Sequence, residues 1–97
     1  MEMIRARDII PMVCEDYGIT ESDLLGPCRR DKFALPRQVA YWLTYHTTGL
    51  SYVKTGWEFE RHHTTILSGV RRIEKLIEND VFAGRVARFL DRIRRAA

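Results

Sequence analysis

Apolar residues recur at three- and four-residue intervals through most of the chain, and no stretch alternates with the period of a half-buried strand. The first stripe is Ile9, Ile10, Val13 and Tyr17. Asp8 is placed to cap it, Pro11 falls in its first turn, and Gly18 ends it. Thr20-Glu21-Ser22-Asp23 has the form of a capping box for a short helix ending near Leu25 and Gly26. A basic loop, Gly26 to Leu35, precedes Pro36, which suits the first position of a helix reaching about Thr47. Val39, Ala40, Leu43 and His46 share one stripe of that helix, and Gly49 terminates it.

The next two elements lie close together. Ser51 caps a helix running to about Phe59, and the turn Phe59-Glu60-Arg61-His62 is short. A further helix from His63 to about Glu78 turns Ile66, Leu67, Val70, Ile73 and Ile77 inward. Asn79-Asp80 then stops that helix and caps a last one, Val81 to about Arg94, with Val81, Val86, Phe89, Leu90 and Ile93 apolar against Arg85, Arg88, Arg92 and Arg95. The pattern predicts one all-α domain over residues 1–97, of five to six helices, with a helix-turn-helix at about 51–78.

Composition agrees with a small folded domain. The apolar fraction is 45% with 10 aromatic residues, too rich for a disordered chain. No apolar run approaches the ~18 residues of a membrane span, and the start, with Glu2, Arg5 and Arg7, lacks the apolar stretch of a signal peptide. Cys14 and Cys28 form no CxxC pair, as expected of a reduced cytoplasmic protein. The net charge is +3, but residues 1–25 hold two cations against six anions and residues 26–97 hold 14 cations against seven anions. Such a division suits a one-sided anion-binding surface, although solvated helix faces would also produce it.

In a helix-turn-helix the start of the second helix reaches base edges in the major groove. Thr64 and Thr65 can donate, accept or meet a thymine methyl, and His63 offers an imidazole N–H; the same residues could simply cap a helix. Arg29, Arg30 and Lys32 form a basic loop, and an arginine on such an arm can enter a narrow minor groove. Arg37, beside an expected helix N-terminus, and Ser51, with the amides that follow it, suit phosphates. Arg71 and Arg72 carry the second helix toward the backbone. Trp42 and Trp57 read as core or core-edge residues, and His46 as a partly buried, satisfied histidine. The histidines and cysteines lack metal-ligand spacing and no carboxylates cluster, so neither a metal, a cofactor nor an enzyme is expected.

The runs F-A-L-P-R-Q-V-A-Y-W-L, T-G-L-S and H-T-T-I-L-S-G-V-R-R-I-E-K-L resemble the C-terminal DNA-binding domain (domain IV) of the bacterial replication initiator DnaA, over about residues 8–78. That family reads R-P-R-Q-(I/M)-A-M-(Y/A)-L, T-x-x-S-L-P-E-I-G and F-G-G-R-D-H-T-T-V-L-H-A-x-R-K-I. The resemblance implies a Trp-repressor-like helical fold and a set of roles. Arg29 takes the minor-groove place, seven residues before Pro36. Val53 stands where a proline touches thymine, and His62, His63, Thr64 and Thr65 stand at base-reading places. Arg37, Gln38, Ser51 and Arg72 match backbone-contacting places, which Arg30, Lys32, Arg61 and Arg71 extend.

Two departures stand out. An aspartate of the family is His62 here, and the Gly-Gly of the turn is reduced to Glu60, one residue shorter. No G-x-x-x-x-G-K-(S/T) is present, and 97 residues cannot hold an AAA+ ATPase. The first reading is therefore a sequence-specific binder of double-stranded DNA acting as a transcription regulator, for which the opening Met1 suits a free-standing, even phage-like, nucleoid-associated protein. The alternative is the origin-binding domain of a replication initiator. A protein partner or a homodimer through the terminal helices is compatible with either.

Overall fold

The computed structural model describes residues 4–96; residues 1–3 and 97, and with them Met1 and Glu2 of the acidic start, lie outside the described residues. Six helices follow one another, α1 (Ala6–Tyr17), α2 (Glu21–Leu25), α3 (Asp31–Thr48), α4 (Tyr52–Phe59), α5 (His63–Leu76) and α6 (Asp80–Ala96), with no strand among the described residues. The all-α class and the helix-turn-helix, formed by α4 and α5, are as the sequence predicts. No described helix is long and apolar enough to cross a membrane.

Helix α3 is the spine. It packs against α5 on one side and α1 on another, while α4 rests on α5. Ile9 and Val13 of α1, Val39, Ala40 and Leu43 of α3, Phe59 of α4, and Ile66, Val70 and Ile73 of α5 meet in one core, with Phe89 and Ile93 of α6 closing it. Gly69 lets α5 approach α3, since a Cβ there would lie 3.0 Å from Tyr41 Cδ2 and 3.1 Å from Gln38 Cγ.

Several boundaries differ from expectation. Helix α1 begins at Ala6 with Arg5 as its cap, so Asp8 is the third helical residue, and its carboxylate accepts from the Arg5 N–H at 2.9 Å. Pro11 and Pro36 are each the sixth residue of their helix, beyond the first turn. Helix α3 starts early because tertiary contacts override the local proline signal. Phe33 is buried and carries Arg37 over its ring at 5.7 Å, and Pro36 is itself buried. Lys32 likewise lies on the helix, 5.0 Å from the Phe33 ring. The Thr20 capping box forms as predicted, with Asp23 N–H donating to Thr20 Oγ1 and Thr20 N–H to Asp23 Oδ2, each at 3.0 Å. These bonds to Thr20, with Lys32 and Arg37 nearby, hold the Asp23 carboxyl below its usual range.

In α6, Phe82 rather than Val81 turns inward, and Val81 is 83% exposed. The helix buries its remaining apolar face against α1 and α3. Arg85 binds Asp16 at 2.7 Å and covers the Tyr17 ring, and Arg92 lies 3.7 Å from Glu15. Part of the contrast between the acidic start and the basic remainder is thus neutralised within the molecule.

Thr55 is fully buried in α4 and its hydroxyl has no hydrogen-bond partner. A buried unpaired hydroxyl costs on the order of 1–3 kcal/mol, and valine has nearly the same shape. Thr55→Val should therefore raise stability by about 1 kcal/mol, or roughly 4–8 °C in melting temperature. A thermal melt no higher than that of the parent would show that the hydroxyl costs nothing.

Candidate nucleic-acid interface

The site begins with two caps. Ser51 Oγ accepts from the Lys54 N–H at 3.1 Å and opens α4. Glu60 then turns the chain in the left-handed region at φ 54°, and the Arg61 N–H returns to the Gly56 carbonyl at 2.9 Å. His62 opens α5: its Nδ1 accepts from the Thr64 N–H at 3.3 Å and lies 2.8 Å from Thr64 Oγ1. The His63 ring packs over that of His62 with centroids 4.2 Å apart. His62, His63, Thr64 and Thr65 are all exposed, so the start of α5 projects four polar side chains into solvent.

Beside this helix start lies a groove of about 420 Å³. Arg29 and Arg30 of the loop, Arg37 and Gln38 of α3, Arg61 of the turn, and Thr64 and Thr65 of α5 line it. Four arginines thus line a concave surface beside the first turn of α5, where the helix dipole also favours an anion.

Two of these arginines have a different first role from the one expected of them. Arg37 is the seventh residue of α3, so no helix N-terminus lies beside it. Its Nε donates to the Leu24 carbonyl at 2.7 Å, and its Nη2 to Asp23 at 2.7 Å and Gly26 at 2.9 Å. Its Nη1 reaches the Cys28 carbonyl. Four of its five N–H donors are committed to backbone. Arg61 Nη2 donates to Gly26 at 2.7 Å and to Leu25 at 3.2 Å. Both guanidinium groups therefore strap the loop that carries Arg29 and Arg30, fixing where those two present their charge.

The other expected residues divide. Arg72 Nη1 donates to Gln38 Oε1 at 2.9 Å, which sets it beside the groove. Arg71 is exposed on α5 and lies outside the groove lining. Ser51 and Val53 are exposed on α4, outside the groove lining, as are Lys32 on α3 and the His62–His63 pair. Trp57, expected at the core or its edge, is 70% exposed one turn beyond Val53, while Trp42 is half-buried. His46 lies toward solvent with Glu74 at 3.5 Å and packs on Trp42. Four further residues of the groove, Ala34, Tyr41, Ser68 and Gly69, fall outside the sequence expectation. Ser68 is one turn on from Thr64, a spacing that could have found it. Tyr41 forms the floor, where burial pushes its phenol up against the opposing pull of Arg61 and Arg37. Among the described residues no three His, Cys, Asp or Glu side chains gather to hold a metal.

Residues 6–73 match the family described as the bacterial dnaA protein helix-turn-helix. The chain belongs to this family. DnaA relatives agree along most of its length: it is 40% identical over 94 residues, 96% of the chain, to the chromosomal replication initiator protein DnaA of Roseobacter denitrificans. It is 39% identical over 72 residues, 74% of the chain, to DnaA 1 of Chlamydia pneumoniae, and 35% identical over 80 residues to DnaA of Thermomicrobium roseum. The chain spans only 20%, 16% and 17% of these DnaA proteins' own lengths.

Proposed function

We propose that the chain is the origin-binding domain of a replication initiator, recognising double-stranded DNA by sequence. Helix α5 lies in the major groove, where Thr64, Thr65, His62 and His63 read base edges and Val53 adds an apolar contact from α4. The strapped loop sends Arg29 into the adjacent minor groove. Arg30, Lys32, Gln38, Ser51, Arg61, Arg71 and Arg72 meet the backbone, with Arg37 contributing the one N–H it has left. The observation that carries this reading is the four-arginine groove opening onto Thr64 and Thr65.

The initiator role takes precedence over transcription regulation, because the relatives are replication initiators by name and nothing in the site speaks for a promoter. The same relatives give no support to a phage-like origin or to a homodimer. This chain supplies a DNA-recognition step and no catalytic one, acting where the bacterial chromosome is, in the cytoplasm.

Selection from randomised duplexes at near-physiological salt tests the proposal. The parent chain should enrich one compact motif. Thr64→Ala should relax one or two major-groove columns, and Arg29→Ala a neighbouring A·T-preferring stretch, each with an affinity loss of about 1–3 kcal/mol. Enrichment of no motif, with only weak salt-sensitive binding, would end the sequence-specific reading.

A further inference from the structure

His62 holds the place of the family's aspartate, and its hydrogen bonds define what it can offer to a base. Its Nδ1 is turned back onto α5, 3.3 Å from the Thr64 amide nitrogen and 2.8 Å from Thr64 Oγ1. An amide N–H can only donate, so Nδ1 is the acceptor and the ring proton sits on Nε2. The His63 ring, tilted by 35° with its centroid 4.2 Å away, packs against the imidazole in that orientation. The free edge of His62 therefore presents Nε2–H, a donor, and were the ring to take up a second proton Nε2 would still be a donor. The same contact acts on Thr64: with its hydroxyl hydrogen directed at Nδ1, Thr64 Oγ1 turns lone pairs outward.

From this geometry we infer that His62 is a specificity-determining residue that selects guanine and rejects cytosine at the base it faces, resting on the DNA-binding function proposed above. Guanine shows two acceptors in the major groove, N7 and O6, whereas cytosine shows an amine donor. A donor-only edge meets the first favourably and sets two donors against each other with the second. A carboxylate in the same place has the opposite preference, because it can only accept. The base at this column of the binding site is thus inverted relative to a domain with aspartate there, while the columns read by Thr65 and Arg29 are unaffected.

The test is selection from the same randomised duplex pool with the parent, His62→Asp and His62→Ser. Aspartate and serine are both good N-caps, so each variant keeps the start of α5. Circular dichroism melts confirm that the three chains are equally folded before selection. The parent should favour guanine over cytosine at one column by about five- to tenfold, the low end of what a paired base contact gives. His62→Asp should reverse that column to cytosine, and His62→Ser, too short to reach the base, should flatten it, with the columns read by Thr65 and Arg29 unchanged. One shared motif for all three chains, identical at every column, overturns the inference and leaves the DNA-binding function standing. Absence of any motif in the parent overturns both.

Discussion

Arg37→Ala should lower the free energy of unfolding by about 2–4 kcal/mol, the consequence of leaving several half-buried carbonyls without a donor. Three of its four bonds, those to Leu24, Asp23 and Gly26, are partly shielded from solvent, and they join α3 to the end of α2 and the start of the loop after it, 11 to 14 residues earlier in the chain. Arg37→Lys should recover little of the loss, because an ammonium has three donors around one point and lacks the planar fork that reaches four carbonyls at once. DNA binding should weaken as well, through the freed loop. The measurement is chemical denaturation of both variants beside the salt dependence of their DNA affinity. A loop strap predicts lost stability, with the salt slope shallower by no more than about 0.9 for the one N–H that Arg37 offers the DNA. A principal phosphate contact predicts parent-like stability with a slope shallower by about 0.9. The second pattern would refute the strap.

This residue also marks the limit of what local pattern conveys. The Pro-Arg-Gln run identifies the family, and on local signals alone proline opens a helix, which places Arg37 at an anion-friendly end. The helix instead begins at Asp31, because Phe33, Pro36 and the Arg37 guanidinium are held by partners that no local pattern contains. Where the determinants are local, the pattern suffices: Thr20 with Asp23, Gly18 and Gly49 in the left-handed region, and Ser51 on Lys54 all stand where it puts them. Trp57 is a case of two signals in conflict. It lies two residues from the buried Phe59, about 200° around a helix, so periodicity places it outside, and the general preference of tryptophan for interiors points the wrong way. The site follows the same rule. The residue types at the start of α5 are a sequence signal, but the convergence of Arg29 and Arg30 with Arg61 depends on a fold-back from residue 61 to residues 25 and 26.

Gly56→Ala should have the largest effect of any single methyl group added to this chain. A Cβ at Gly56 would collide with the Arg61 carbonyl oxygen and sit 3.5 Å from the His63 nitrogen, against backbone in both cases. The same glycine accepts the Arg61 N–H through its own carbonyl, so the turn cannot back away without losing that bond as well. The turn has little slack to absorb the change: it is a single residue shorter than the family pattern, and Glu60 already occupies the left-handed region at φ 54° without being glycine. Overpacking against backbone at such a point costs on the order of 3 kcal/mol or more, which for a domain of this size is a fall of roughly 12–24 °C. Specific DNA binding should disappear with it, since α5 would no longer hold His62, Thr64 and Thr65 in place relative to the loop. Gly84→Ala in α6 is the control. The nearest atom to its Cβ is Arg88 Nη1 at 3.9 Å, an ordinary van der Waals contact, so the methyl fits without strain and the substitution should stabilise the helix by about 0.5–1 kcal/mol. Thermal melts and DNA titrations of the two variants separate the effect of turn geometry from that of glycine removal in general. Equal melting temperatures for Gly56→Ala and the parent would mean that the contact between Gly56 and Arg61 does not set the angle between α4 and α5, and the shape of the helix-turn-helix would need another cause.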